Sequence, residues 1–362
     1  MHKDDAIRLF VPTLDGGGSE RICLELCNRF VDRTLTVELL LVNASGVYLQ
    51  QLDSRVNCKD FRAKRARGAF VAVSRHIRSS PEIPVLVFGF HLCVLLIMAR
   101  FLGWHSSRVI YREGSSPVSH VKPWMQWVYR FFIARADAVI AQNHTVRKEL
   151  ESLGVPHQII RVIPNPCPRP SAMPVRPPPQ EGRSLLLLGV GRLEPEKGFD
   201  RLLRAFSKLS NVYRAARLVI LGEGRERSRL ERLIESLGMN EQVTMPGFVK
   251  NLNTWLDRAS LFVLSSHFEG QPNVLMEAIL RECPVLCVEG KGGGRELMVA
   301  CGLEDCVVAD AEFEHSFVER VGQVLCKSDF YWRQARELLI RLADPDSVVT
   351  DYLDTCGVKP LG

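Results

Sequence analysis

The stretch "PNPCPRPSAMPVRPPPQEGR", residues 164–183, holds eight of the chain's twenty prolines and decides how everything on either side of it is read. Proline fixes φ and removes a backbone donor, so a segment this rich in it cannot enter a sheet ladder or a helix interior. It reads as a semi-rigid linker between two bodies. A chain of 362 residues is too long for one core and suits two domains of ordinary size. The expected division is 1–165 for an amino-terminal domain, 166–183 for the linker, 184–343 for a carboxyl-terminal domain and 344–362 for a last helix that crosses back to the first domain.

Upstream of the linker, apolar runs ("IRLFVP", "LTVELLLV", "PVLVFGF", "RVIY", "DAVIAQ") alternate with helical patterns such as "SERICLELCNRFV". Downstream the same alternation returns with "SLLLLGVG", "ARLVILGEG", "QVTMPGFV", "LFVLSS" and "CPVLCVEG", separated by "RLLRAFSKL" and "SRLERLIESLG". Strand and helix in strict alternation predict a parallel sheet wrapped by helices, twice over: an α/β chain of two Rossmann-like, doubly wound domains. In such sheets ligands sit beyond the carboxyl ends of the strands, so the loops after these runs are where chemistry is expected.

Composition bounds the remaining classes. With 46% hydrophobic and 24% charged residues the chain is globular rather than disordered. The longest apolar run, "VLVFGFHLCVLLIMARFL" (85–102), carries Gly89, His91 and Arg100 and falls short of the roughly 20 residues of a bilayer span; it reads as strand, turn and helix. The amino terminus, "MHKDDAIRLF", lacks the basic then apolar order of a secretory signal, which points to the cytoplasm. Eleven cysteines with no C-x-x-C pair argue for small buried thiols rather than zinc or disulfides.

The net charge of +6 is uneven: residues 1–165 hold 22 Lys/Arg against 14 Asp/Glu, the remainder 25 against 27. The first half is therefore expected to face an anionic partner. The excess peaks in "KDFRAKRAR" (59–67), which suits an anionic lipid surface, a lipid diphosphate or a charged saccharide, or is a solvated loop. The segment "VKPWMQWVYRFFIAR" (121–135) mixes Trp124, Trp127, Phe131 and Phe132 with Lys122 and Arg130. Core packing is the expectation for it, a membrane interface the alternative. No motif for nucleic acid accompanies the basic excess.

Three post-strand loops carry candidate chemistry. "DGGGSER" (15–21) precedes an amphipathic helix; Gly17 and Gly18 let backbone amides approach an anion there, or the loop is a tight turn capped by Ser19. "GVGRLEPEKGFDRLL" (189–203) places Arg192 and Lys197 at a strand end, a pair of cations that suits a diphosphate unless Glu194 and Glu196 hold them as surface ion pairs. In "HFEGQPNVLMEAI" (267–279), Pro272 belongs in a first helical turn, so Glu269 falls on the loop and Glu277 inside the helix, with the amides of Asn273 and Val274 at its positive end. One carboxylate for a sugar, one for a ribose and amides between them for phosphate match a nucleoside diphosphate sugar.

These segments resemble a known family. "SSHFEGQPNVLMEA" resembles the E-x7-E motif of the retaining glycosyltransferases of family 4, and "GRLEPEKG" their phosphate-binding loop. "DGGGSER" is similar to the family's GGxER loop, "ADAVIAQN" and "VIPNP" to its interdomain region, and "LVILGEG" and "VTMPGFV" to strands of its nucleotide domain, so the likeness covers nearly the whole chain. The resemblance implies a GT-B fold, its two domains facing a central cleft, the donor bound mainly by the second and the acceptor mainly by the first. It implies that Glu277 binds the ribose and Glu269 the donor sugar, that Arg192 and Lys197 stabilise the departing diphosphate, that Gly18 and its neighbours assist, and that Gly247 to Val249 line the base pocket. His91 stands where the family often has a histidine touching the sugar, Glu113 in "YREGSSP" partly resembles an acceptor-side glutamate, and Asn143 departs from the family's serine.

The implied activity is transfer of a hexose or N-acetylhexosamine, with retention, from a UDP-linked donor to a glycan or lipid-linked saccharide of a surface polysaccharide or lipopolysaccharide. The expected setting is the cytoplasm or the cytoplasmic face of the membrane, with no cofactor and no metal. "DPD" (344–346) fits a metal-binding D-x-D pattern but follows no strand and reads as a helix cap. Alternatives are another GT-B enzyme, such as a nucleotide-sugar 2-epimerase or a glycoside phosphorylase, and a nucleotide-sugar binder without turnover.

Overall fold

The structure is a computed structural model that describes residues 5–168 and 185–359; the expected linker lies outside the described residues from position 169 onward. The chain divides into two compact units, Met1–Pro166 together with Pro345–Gly362, and Cys167–Asp344.

Unit 1 is built on seven parallel strands: β1 (Ala6–Val11), β2 (Thr36–Leu41), β3 (Asn57–Asp60), β4 (Val85–Phe88), β5 (Val109–Arg112), β6 (Ala138–Ala141) and β7 (Ile160–Val162). They lie in the order β3-β2-β1-β4-β5-β6-β7. Its helices are α1 (Gly18–Asp32), α2 (Ala66–Arg78), α3 (Phe90–Phe101), α4 (Pro117–His120), α5 (Gln126–Ile133) and α6 (His144–Ser152), joined by the last helix of the chain. Strands β1, β4, β5 and β6 are buried along their whole length because both faces are covered, whereas the edge strand β3 is largely exposed. Ile7, Leu9 and Val11 of β1 enter one core with α1, whereas Phe10 enters a second core with α2, α3, α5 and α6.

Unit 2 repeats the plan with β8 (Leu186–Val190), β9 (Arg217–Leu221), β10 (Val243–Gly247), β11 (Leu261–Leu264), the two-residue β12 (Phe268–Glu269), β13 (Val285–Glu289), the two-residue β14 (Lys291–Gly292) and β15 (Val307–Ala309). The main sheet runs β10-β9-β8-β11-β13-β15, all parallel, and β12 pairs with β14 beside it. Helices α7 (Phe199–Val212), α8 (Arg227–Ser236), α9 (Leu252–Arg258), α10 (Asn273–Leu280), α11 (Gly294–Ala300), α12 (Phe313–Leu325) and α13 (Asp329–Leu342) complete it. Each sheet reverses its strand order beside its first strand, between β1 and β4 in unit 1 and between β8 and β11 in unit 2. Loops leaving the two strands at such a point turn to opposite faces and open a crevice.

The final helix, α14 (Pro345–Cys356), packs on α1, and its Val348, Val349, Tyr352 and Leu353 join the α1-side core of unit 1. The Tyr352 hydroxyl accepts from Arg112 Nε at 3.0 Å, and Asn165 Oδ1 accepts from Arg112 Nη2 at 2.5 Å. Asp344 of "DPD" directly precedes this helix, whose first residue is Pro345. Among the described residues no cluster of three or more His, Cys, Asp and Glu is spaced to hold a metal, and no helix is long and apolar enough to cross a membrane. All eleven cysteines are free thiols; nine are buried, and Cys58 and Cys326 are exposed.

One packing expectation is corrected. Trp124 and Trp127 are 68% and 70% exposed, and Phe131 is exposed as well, while only Tyr129 and Ile133 of α5 are buried. The segment opens with a 3₁₀ turn, Pro123–Met125, and its α-helix spans only eight residues, so one narrow stripe faces the core and the tryptophans point outward.

Candidate active site

The carboxyl ends of β8 and β11 bring together the loops that the sequence singled out in unit 2. After β8 the chain runs through Gly191 and Arg192 to a 3₁₀ turn, Pro195–Lys197, and into α7 through Gly198. Gly198 adopts φ 61°, and a Cβ there would lie 2.2 Å from the Ser265 carbonyl oxygen, so only glycine lets this loop lie against the loop after β11. Three bonds lace the two loops: the Ser265 hydroxyl donates to Lys197 O (2.9 Å), His267 N to Glu196 O (2.8 Å), and Arg201 Nε to Ser265 O (2.7 Å).

Within that frame Lys197 Nζ donates to Glu269 Oε1 at 2.6 Å, and the Ser266 hydroxyl donates to the same oxygen at 2.7 Å. The two side chains are only 18% and 15% exposed. Glu269 belongs to β12, and its strand partner Gly292 must be glycine, since a Cβ would sit 1.7 Å from Glu269 O. Gly293 N also donates to Glu269 O (3.1 Å), and Lys291 N to His267 O (2.8 Å). The segment Gly290–Gly294 therefore fixes the Glu269 loop. Sequence reading treated it only as a strand end, although its run of glycines was the available signal.

Pro272 caps α10, whose first residues are Asn273 and Val274. Glu277 is the fifth residue of that helix and is 5% exposed, so its side chain is buried rather than presented on the surface. Arg192 is at the other extreme: it is largely exposed and meets Glu196 Oε1 at 3.2 Å. Gly247 closes β10 with φ 92° and accepts from Gly222 N at 2.9 Å, which joins its loop to the one after β9. Val249 is half-buried against the unit core, and it is Phe248, 59% exposed, that offers an open ring.

Unit 1 places its candidates differently. Helix α1 starts at Gly18 with Gly17, not Ser19, as its cap, and Glu20 folds back to accept from Gly16 N (2.9 Å) and Gly17 N (2.5 Å). The chain's own carboxylate thus occupies the glycine amide of position 17, the backbone half of a capping box. Gly18 is exposed.

Glu113 is 3% exposed. It accepts from the Tyr111 hydroxyl (3.0 Å), the Tyr129 hydroxyl, Gly114 N (2.8 Å) and Ser115 N (3.2 Å), so its oxygens organise the loop after β5 rather than face a saccharide. Burial first, and then the Glu113 charge, push both phenols well above their usual range, which keeps them protonated as donors. Asn143 caps α6, its Oδ1 accepting from Val146 N at 2.8 Å.

His91 is the second residue of α3, beyond β4, and lines a crevice with Thr13 and Asp15 from the loop after β1. Burial lowers its pKa, which favours the neutral imidazole at pH 7.

Two family profiles cover these units in turn: residues 16–168 match that of glycosyltransferase family 4, and residues 176–334 that of the glycosyl transferases group 1. The chain belongs to glycosyltransferase family 4. An uncharacterized glycosyltransferase of Methanocaldococcus jannaschii is 30% identical over 178 residues, 47% of this chain and 44% of that one. The N-acetylgalactosamine-N,N'-diacetylbacillosaminyl-diphospho-undecaprenol 4-alpha-N-acetylgalactosaminyltransferase of Campylobacter jejuni is 39% identical over 111 residues, 31% of this chain and 30% of that one. The matches thus cover less than half the length of either relative. Among solved structures, Anabaena HepE in complex with UDP and glucose superposes with a TM-score of 0.80 at 16% identity, covering 97% of this chain and 98% of that one. WaaG, a glycosyltransferase involved in lipopolysaccharide biosynthesis, does so with a TM-score of 0.72 at 17% identity, covering 96% and 98%. Members of family 4 with this pair of Rossmann-like domains have the GT-B fold.

Proposed function

We propose that the protein is a retaining, metal-independent glycosyltransferase that moves a hexose or N-acetylhexosamine from a UDP-linked donor to a saccharide or lipid-linked saccharide during polysaccharide or lipopolysaccharide assembly. The observation that carries this reading is the Lys197–Glu269 pair at the strand-order reversal of unit 2, with Glu277 on the helix that follows. Crystals of HepE with UDP, and the transferase name of the Campylobacter relative, support the choice of donor class.

In this reading Glu277 accepts from the ribose hydroxyls and the first-turn amides of α10 face the diphosphate. Both bonds on the Glu269 side chain fall on Oε1, which leaves Oε2 to accept from a hydroxyl of the donor sugar. Lys197 reaches the phosphates from a fixed position, while the exposed Arg192 swings onto them. As the bond from C1 to the diphosphate oxygen breaks, the electron pair leaves with phosphate, and Lys197, Arg192 and the amides stabilise the growing charge. The acceptor hydroxyl bonds to C1 on the same face, and its proton passes to the departing phosphate oxygen. Gly247 and the open ring of Phe248 flank the uracil, with Val249 supporting them from behind.

The same proposal seats unit 1 peripherally on the cytoplasmic face of an anionic membrane. Helices α2, α3 and α5 pack side by side, contain no Asp or Glu, and expose Val71, Met98, Phe101, Trp127 and Phe131, with Trp124 just before α5. Arg135 stacks on the Phe131 ring at 3.7 Å. Aromatic rings among cations are the chemistry of a lipid headgroup layer.

The test is donor hydrolysis across UDP-, GDP- and ADP-sugars, read by mass spectrometry, with the Glu277→Ala variant beside it. Hydrolysis of one UDP-sugar that the variant loses supports the reading. Conversion of the donor to an epimer, or binding without turnover over a broad acceptor panel, overturns it.

A further inference from the structure

The strand-order reversal of unit 1 opens a cavity of about 490 Å³, lined by Thr13 and Asp15 after β1, Asn43 after β2, Lys64 and Arg65 ahead of α2, and His91 on α3. That volume is within the range of small-molecule sites and far above what one hexose needs. Its charge is unbalanced. Lys64 and Arg65 form no ion pair among the described residues, and Asp15, the one carboxylate in the lining, accepts from the Ser45 hydroxyl at 3.0 Å.

Both side chains are exposed at the rim, and it is the backbone leading to them that the chain fixes. Asp60, the nearest acidic residue in sequence, spends its carboxylate on the backbone, accepting from Ala44 N (3.1 Å) and Arg62 N (2.8 Å). Phe61 N donates to Leu41 O (3.0 Å) and Ala63 N to Val42 O (2.9 Å), clamping the segment to the end of β2. Between them Arg62 takes a left-handed φ of 51°, a conformation that costs a side-chain-bearing residue about 1–2 kcal/mol. The turn delivers Lys64 and Arg65 to the cavity, and α2 begins behind them with no acidic residue in its first turn. Two unpaired cations and a helix start on one wall, with Thr13, Asn43 and His91 on the others, divide the cavity into an anion end and a hydroxyl-binding end.

We propose that this cavity binds the acceptor as a phosphate-bearing saccharide, the phosphate on Lys64 and Arg65 and the sugar ring among Thr13, Asn43 and His91. Calling the occupant an acceptor rests on the glycosyltransferase reading; the anion site itself does not. The phosphate belongs either to a soluble sugar phosphate or to a lipid diphosphate, which present the same group to the two cations.

The experiment is calorimetric titration of the full chain with N-acetylglucosamine, N-acetylglucosamine 1-phosphate and a short-chain isoprenyl diphosphate N-acetylglucosamine. Saturating UDP keeps the donor site filled, and a separate UDP titration is run on each protein. The phosphorylated sugar is expected to bind about tenfold or more tightly than the neutral one, an advantage that Lys64→Gln/Arg65→Gln abolishes while leaving UDP affinity unchanged. Tighter binding of the isoprenyl compound assigns the phosphate to a lipid carrier, and equal binding assigns it to a soluble sugar. Absence of a phosphate preference, or its survival in the double variant, overturns the proposal. Failure of the wild-type chain to bind UDP would instead count against the glycosyltransferase reading.

Discussion

Lys197 Nζ and Glu269 Oε1 lie 2.6 Å apart across two loops that leave different strands of one sheet. The residue proposed for the phosphates and the residue proposed for the sugar therefore hold each other in place, and neither acts alone. Lys197→Ala is expected to lower donor turnover by about 10²–10³, the scale seen when one preorganised donor to a transition-state charge is removed. Glu269→Ala should lower it comparably. Because each deletion already dismantles the pair, the double variant should be scarcely worse than either single one. Losses that multiply in the double variant would refute the coupling.

Glu277→Ala should weaken UDP binding by about tenfold to a hundredfold, the loss of charge-assisted hydrogen bonds to two hydroxyls. Glu277→Gln, which keeps the shape and one acceptor, should fall between the variant and the wild type. Fluorescence or calorimetric titration of UDP reads both, and wild-type affinity in the alanine variant would remove Glu277 from the site.

Gly198→Ala tests the close approach of the two loops. The substitution adds a methyl group 2.2 Å from Ser265 O at a residue whose φ is 61°. A destabilisation of about 1–3 kcal/mol is expected, read as a lower urea midpoint. An unchanged midpoint would mean that the loops part without cost.

Acid should weaken the fold through its histidines. His105 is buried, its Nε2 donates to Leu96 O at 3.0 Å, and burial lowers its pKa below the ordinary 6.5. His91 and His267 are shifted the same way, again chiefly by burial. In the window between the lowered folded values and 6.5 the unfolded chain binds more protons, so stability is full above 6.5 and falls as pH drops through the folded pKa values. Urea midpoints measured from pH 7.5 to pH 5.5 should decline, and His105→Gln should flatten the slope whatever it does to the absolute midpoint. A slope unchanged by that variant would assign the decline to other groups.

Sedimentation with vesicles tests the outward tryptophans. Binding to vesicles rich in phosphatidylglycerol, and its loss in Trp124→Ser/Trp127→Ser with the melting temperature retained, is the expected result. Equal binding by the variant would leave the tryptophans without that role.

What the sequence made legible follows from geometry. Parallel strands covered on both faces leave unbroken apolar runs, so β1, β2, β4, β8, β9 and β11 stand out, and the loops after them name Lys197, Glu269 and Glu277 directly. Side-chain direction was less legible. Trp124 and Trp127 face outward because a 3₁₀ turn precedes a short helix and shifts its phase, which no periodicity count over so few residues can detect. The inward turn of Glu113 depends on phenols at Tyr111 and Tyr129, the second supplied by a helix sixteen residues further on. The capture of the Gly17 amide by Glu20 required knowing that α1 starts at Gly18.

The return of α14 gives the chain an unusual order of manufacture. Unit 2 is a continuous insertion, Cys167–Asp344, within a unit 1 whose core takes Val348, Val349, Tyr352 and Leu353 from beyond it. Arg112, buried near the middle of the unit 1 sheet, meets the Tyr352 hydroxyl 240 residues downstream. A ribosome therefore releases every strand of the first domain, and then all of the second, before the first can close. During that interval the face of α1 that receives the last helix stands open, and the Arg112 guanidinium, though it can already meet Asn165, lacks the Tyr352 hydroxyl.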